Sequence, residues 1–240
     1  SLPWRTLIEA KIELIGEHAP GMPGSTTEPL SVLDDITYLE EASNLISLEI
    51  DGVRIRDCSP ILFCVNLKIL TLGKNGIRIL QGLEYLYKLQ RLVIFDNPIV
   101  SLPLLPVSLV VLELRNLDAL DALSLAGMAR LRTLKIVCSS IRFIEGDCES
   151  LKEVMLYQSK THDLTFLETT PLERLELVSC PDVTTVPHLK RVEIIKVLHC
   201  ENLRTISTLP KTVREIIIHH TAVDRSDLTF MRNVHGSVRQ

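Results

Sequence analysis

Three histidines gather near the C-terminal end of the chain, His199 just before Cys200 and His219-His220 just before Thr221. With Cys180 and Cys200 they are the residue types that hold zinc, which needs three or four imidazole nitrogens or thiolates in tetrahedral reach. The periodicity described below turns both thiols inwards, so no metal site is expected. The histidines read instead as solvated polar residues at a rim, with a pH-sensitive contact as the alternative. The carboxylates Glu49, Glu113, Glu176 and Glu215 could do acid–base chemistry, but they fall on separate strands with no spacing that pairs an acid with a base, and they read as a solvated face. The sequence contains no glycine-rich phosphate loop, no GxSxG elbow and no HExxH. The expectation is a chain that is not an enzyme, with no catalytic residue, no cofactor and no small-molecule substrate.

The elements that place these residues are repeats. Leu67, Leu70, Leu72, Asn75 and Ile77 form the pattern LxxLxLxxNxI, which returns 22 residues later at Leu89, Leu92, Ile94, Asn97 and Ile99. Alternating inward leucines predict a strand. The Asn predicts a turn, because its side chain can bond backbone groups that the bend leaves unpaired. Units open at Leu45, Leu67, Leu89, Leu109, Leu131, Leu151, Leu172, Val192 and Val213, nine in all. Their turn position passes from Asn75 and Asn97 to Ser139 and Ser159, then Cys180, Cys200 and Thr221, with Val53 and Leu117 as departures. Small residues suit a crowded turn, and the two cysteines read as structural thiols packed behind the strands. Gly82 to Leu86 predicts a short helix, while Pro103, Pro106, Pro187 and Pro210 favour extended backbone before later strands. The expected fold is therefore an α/β solenoid of about nine repeats with an irregular outer side. Eight steps of a parallel ladder would span about 38 Å.

Residues 3–18 predict an amphipathic helix, with Trp4, Leu7, Ile8, Ile12 and Ile15 on one face, capping the first repeat. The Pro- and Gly-rich stretch Ala19 to Pro29 predicts a loop, and Leu30 to Ala42 a degenerate first unit without a clear strand. At the other end Leu228, Phe230 and Met231 predict a C-terminal cap, with His235 to Gln240 frayed. The domain plan is an N-terminal cap over 1–29, a solenoid over 30–225, and a cap and tail over 226–240.

Within each unit the third, fifth and seventh positions point away from the core. The seventh-position row reads Asp51, Gly73, Phe95, Arg115, Val137, Tyr157, Val178, Leu198 and His219. The fifth-position row is mixed in charge: Glu49, Thr71, Val93, Glu113, Lys135, Met155, Glu176, Lys196 and Ile217. Apolar side chains with aromatic anchors, flanked by charges, mark a protein interface. The candidate protein-binding residues are Phe95, Arg115, Lys135, Val137, Met155, Tyr157, Val178, Lys196, Leu198 and His219. The bland counterpart is that a β-ladder tolerates Val and Ile on either face.

The unit GLEYLYKLQRLVIFDNPIVSL, Gly82 to Leu102, resembles the 22-residue class of leucine-rich repeats, the class of the protein-phosphatase-1 regulatory subunit and of many intracellular adaptors. LERLELVSCPDV and VEIIKVLHCENL are similar to the cysteine-containing repeats of plant resistance proteins and protozoan leucine-rich repeat proteins. The resemblance covers about residues 30 to 225. It implies a horseshoe with its β-ladder on the concave face, protein binding through that face, and no catalysis.

Composition agrees with such a scaffold: 46% of the 240 residues are hydrophobic and only 4% aromatic. A net charge of −4 with interspersed signs gives no reason to expect a nucleic-acid partner. No apolar run is long enough to span a membrane, so no membrane partner is expected. The six cysteines are scattered through the repeats, not gathered in terminal disulfide caps, which predicts a reducing compartment, the cytoplasm or alternatively the nucleus. The functional expectation is a non-catalytic scaffold or adaptor that binds a protein partner. Its alternatives are a structural subunit of a larger assembly or homodimer, and the recognition domain of a longer sensor or enzyme.

Overall fold

The computed structural model describes residues 8–13, 36–224 and 238–239. Its strands in chain order are β1 Glu9–Glu13, β2 Ser47–Asp51, β3 Ile69–Gly73, β4 Arg91–Phe95, β5 Val111–Arg115, β6 Ala122–Ser124, β7 Thr133–Val137, β8 Phe143–Glu145, β9 Glu153–Tyr157, β10 Arg174–Val178, β11 Thr185–Val186, β12 Ile194–Leu198, β13 Thr205–Ile206, β14 Glu215–His219 and β15 Val238–Arg239. Eleven of them form one parallel sheet in the order β1-β2-β3-β4-β5-β7-β9-β10-β12-β14-β15. Each of the nine units read from the sequence supplies one of its strands. The fold is a parallel β-solenoid with little helix: among the described residues the helical part is four short 3-10 turns, Thr37–Glu41, Ser59–Phe63, Leu83–Tyr85 and Thr165–Leu167.

The register explains why the leucines repeat. Leu48, Leu70, Leu92, Leu112, Leu134, Val154, Leu175, Ile195 and Ile216 pair across successive strands and form one buried column. Each contributes about 1.5–3 kcal/mol by leaving water, but only because the neighbouring turn covers it. The outer side adds two small parallel sheets, β6 with β8 and β11 with β13.

Behind each strand the backbone turns sharply, and the turn has two constant parts. The residue after the seventh position is left-handed in unit after unit: Lys74, Asp96, Asn116, Cys138, Gln158, Ser179, His199 and His220 have φ between 47° and 55°. Seven of these, Lys74 to His199, donate their N–H to the last residue of the next strand, at 2.8–3.2 Å. That bond extends the ladder by one step and holds a conformation that costs non-glycine residues about 1–2 kcal/mol. The second part is the inward polar residue that follows it directly. Asn75 donates to the carbonyls of Ile50 (3.0 Å) and Gly73 (2.7 Å) and accepts from the Val53 N–H (3.1 Å). Ser139 donates to Leu117 at 3.3 Å, and the Cys180 thiol to Leu156 at 3.3 Å. Asn, Ser and Cys thus do one job, hydrogen bonding to a buried turn carbonyl, in successive parts of the array.

Two expectations are corrected. Glu9–Glu13 is a strand, not part of a helix, and it pairs in parallel with β2, Ala10 beside Leu48 and Ile12 beside Ile50. Ile8, assigned to the apolar helix face, is exposed. A short apolar run fits both periods, and the free edge of β2 decides between them. Val238–Arg239, within the tail expected to fray, pairs with β14. Trp4, Leu7, Ile15, the loop 19–29 and the cap residues Leu228, Phe230 and Met231 lie outside the described residues.

Candidate functional site

Because the ladder is in register, residues about 21 apart in sequence become neighbours on the concave face. Asp51, Gly73, Phe95, Arg115, Val137, Tyr157, Val178, Leu198 and His219 form one continuous row, and Glu49 to Ile217 form the row beside it. The ten candidate residues fall on this face: Phe95, Arg115, Val137, Tyr157, Val178, Leu198 and His219 in the first row, Lys135, Met155 and Lys196 in the second. All ten are half-buried.

Two carboxylates organise the charges. Glu113, with a side chain only 5% exposed, receives Arg115 Nη2 at 2.7 Å, Lys135 Nζ at 2.9 Å and Arg91 Nη2 at 3.2 Å. Burial pushes its carboxyl up, but the hydrogen bond from Lys135 and the charges of Arg115 and Lys135 outweigh this and hold it below the usual carboxylate range. Glu176, on β10, accepts from the Tyr157 hydroxyl and from Arg174 Nη1 at 2.8 Å. Burial raises it too, and the Tyr157 and Arg174 hydrogen bonds prevail. The Tyr157 hydroxyl is pushed up to about 12 by burial and by its bond to Glu176. The expectation that Glu113 and Glu176 belong to a solvated face is therefore overturned. Arg115 and Arg174 reach them from their own strands, and Arg91 and Lys135 reach Glu113 from the strands on either side.

From β4 to β12 the concave face carries five cations, Arg91, Arg115, Lys135, Arg174 and Lys196, against three carboxylates, Glu113, Glu153 and Glu176. Its centre is positive although the chain is not. At the N-terminal end the charges pair off: Glu49 with Lys11 at 3.3 Å, and Asp51 with Lys74 at 3.6 Å.

Phe95 owes its position to Gly73. A Cβ on Gly73 would come within 2.0 Å of the ring, so the ring lies flat across a place where the neighbouring strand has no side chain. Lys74 Nζ stands 5.9 Å from the ring centroid. Tyr157 is fixed instead by its hydroxyl. Both aromatic side chains are thus held in place by their neighbours.

The histidines divide. His219 ends the seventh-position row, while His199 and His220 stack on the strand-exit edge with ring centroids 4.6 Å apart and planes at 9°. Cys180 and Cys200 turn inwards and donate to backbone carbonyls, Cys200 to Leu198 at 3.5 Å. The Cys180 thiol is pushed up by its hydrogen bond with Cys200 and by burial. Among the described residues no three His, Cys, Asp or Glu side chains are arranged to hold a metal ion.

No protein-family model matches the sequence, and no curated protein matches it. Among solved structures, an internalin of Listeria monocytogenes superposes with a TM-score of 0.50 at 14% identity, over 86% of this chain and 71% of the internalin. The fold is that of leucine-rich repeat proteins. A leucine-rich repeat protein of Leptospira interrogans gives a TM-score of 0.26 at 13% identity, over 84% of this chain and 86% of that one. A plant peptide hormone receptor, RGFR1 in complex with RGF2, gives 0.35 at 16% identity, over 84% of this chain and 49% of the receptor.

A second leucine-rich repeat surface was not foreseen from the sequence. At the strand-start rim Phe63 is 52% exposed, Tyr85 69% and Tyr87 61%, with Val65 and Val107 beside them. Phe63 and Tyr85, and likewise Val65 and Tyr87, hold equivalent places in successive turns, shown by the matching bonds from Val65 N–H to Phe63 O and from Tyr87 N–H to Tyr85 O, both 2.9 Å. The signal was available as aromatic and apolar residues four and two places before Leu67 and Leu89. A pattern that counts only core positions passes over it.

Proposed function

We propose that this chain is a non-catalytic interaction scaffold that holds a protein partner along its concave face. The observation that carries this reading is the run of half-buried apolar side chains Val137, Tyr157, Val178 and Leu198 in one register row, with Phe95 in the same row on the far side of Arg115, beside a positive centre. An apolar strip with immobilised aromatic anchors supplies affinity, and flanking charge sets orientation and encounter rate. Met155 continues the apolar strip, His219 bounds it, and Arg115, Lys135 and Lys196 present the charges, so the partner segment carries acidic groups. Arg115 and Lys135 are already shared with Glu113, which fixes their side chains and makes them directional donors. The free thiols support a reducing compartment, the cytoplasm or the nucleus.

The test is affinity capture from native cell extract with this chain as bait, beside a Phe95→Ala/Tyr157→Ala variant verified as folded. Loss of one stoichiometric protein with the variant supports the reading. An unchanged set of captured proteins overturns it.

The exposed rim favours a second reading, a subunit buried permanently in a larger assembly or homodimer through Phe63, Tyr85 and Tyr87. Sedimentation separates the two: a monomer whose mass does not change with concentration excludes the homodimer.

A further inference from the structure

On the strand-exit side of the first turns, opposite the aromatic rim, lies a cleft of about 530 Å³ lined by Arg56, Gly76, Arg78, Ile79 and Pro98. Arg56 and Arg78 hold the same place in successive repeats, each following a buried isoleucine, Ile55 and Ile77. The turns that carry them are bonded to one another, the Gly76 N–H donating to Ile55 O at 2.9 Å. Their backbones therefore stand about one ladder step apart, roughly 5 Å. Gly76 lies beside Arg56, where a Cβ would come within 3.3 Å of Arg56 Cγ, so the missing side chain leaves room for the arginine along the cleft.

Two exposed arginine side chains on adjacent turns can converge on a single anion. Asp57, next to Arg56 in sequence, accepts from the Ser59 N–H at 2.8 Å and from the Ser59 hydroxyl at 2.9 Å, and Asp51 pairs with Lys74 at 3.6 Å. Ile79 and Pro98 supply apolar walls next to the charges. Arg is the side chain suited to planar, bidentate recognition of carboxylate and phosphoryl oxygens.

We propose that this cleft is an oxyanion site, in which a phosphoryl or carboxylate group seats between Arg56 and Arg78 with the apolar body of its carrier against Ile79 and Pro98. The site is separate from the concave face, so it stands or falls independently of the partner proposed there.

The test is an NMR titration of the full chain, following the arginine Nε–Hε signals, with inorganic phosphate, phenyl phosphate and benzoate as probes. The expected result is saturable shifts at Arg56 and Arg78, phenyl phosphate binding more tightly than inorganic phosphate because its ring reaches Ile79 and Pro98. Each of Arg56→Gln and Arg78→Gln, both on exposed side chains, is expected to weaken binding at least about tenfold while leaving the circular dichroism spectrum unchanged. Binding of phenyl phosphate without benzoate assigns the site to phosphoryl groups, and the converse assigns it to carboxylates. Absence of saturable shifts at these two arginines with all three probes overturns the proposal. Equal affinity in the Arg56→Gln/Arg78→Gln double variant overturns it as well.

Discussion

Glu113 shows how a single side chain is set by neighbours on its own strand and on the two strands beside it. Its three cations are themselves partly exposed, so solvent screens part of their attraction, and Glu113→Gln is expected to cost about 1–3 kcal/mol at neutral pH. The folded-state pKa is depressed, so this stabilisation is present above the unfolded carboxylate pKa and lost as pH falls through the folded one. Urea unfolding of both proteins from pH 7 to pH 3 should show the difference shrink below about pH 4; a gap that stays constant contradicts the ion-pair account. Thiol chemistry is equally local. Burial, with Asp57 as a lesser cause, pushes Cys58 up to about 12, and burial pushes Cys64 up to about 11, whereas Cys138 is half-exposed and donates to Gln158 Oε1 at 2.7 Å. A thiol reagent at neutral pH should therefore modify Cys138 first in the native protein and all six cysteines only after denaturation. Rapid native modification of several thiols would sink this assignment. The burial of Glu113 could not be read from its own repeat. It depends on Arg91 and Lys135, each 22 residues away in sequence, and only the register makes them neighbours.

At the level of the repeat, the strand-turn unit was legible because its core positions obey one spacing, while its polar turn residue varies. Asn75 makes three bonds to groups that the turn would otherwise bury unpaired, so Asn75→Ala is expected to destabilise by about 2–3 kcal/mol in equilibrium unfolding. Ser179 tests the other half of the turn. Its φ of 54° suits glycine, and Ser179→Gly should raise stability by about 0.5–1 kcal/mol, the relief of strain exceeding the added chain entropy. A loss of stability there would mean that the ladder bond, at 2.8 Å to Leu198, depends on the serine side chain. Strand β1 was missed for a reason that also belongs to this scale. Leu7-x-x-Ala10-x-Ile12 follows the LxxLxL spacing, but Ala stands at a leucine position and the next unit opens 38 residues later, outside the period. Helix and strand patterns then fit equally well, and pairing with β2 settles the matter.

Over the whole molecule, the chain is negative while the centre of its concave face is positive. Association with the concave-face partner should slow as salt is raised, because an acidic segment is drawn to Arg91, Arg115, Lys135, Arg174 and Lys196. The solenoid itself could be read from spacing alone, since every repeat buries the same leucines. Which residues face outwards together could be read as well, because strand alternation fixes it. The fixing of Phe95 by Gly73 and of Tyr157 by Glu176 could not, since both depend on packing between strands. The most direct measurement of the central claim is the equilibrium affinity of the captured partner for the wild-type chain and for the folded variants Phe95→Ala and Tyr157→Ala. A concave-face scaffold predicts a loss of about 1–3 kcal/mol for each. Unchanged affinity for both variants would contradict it.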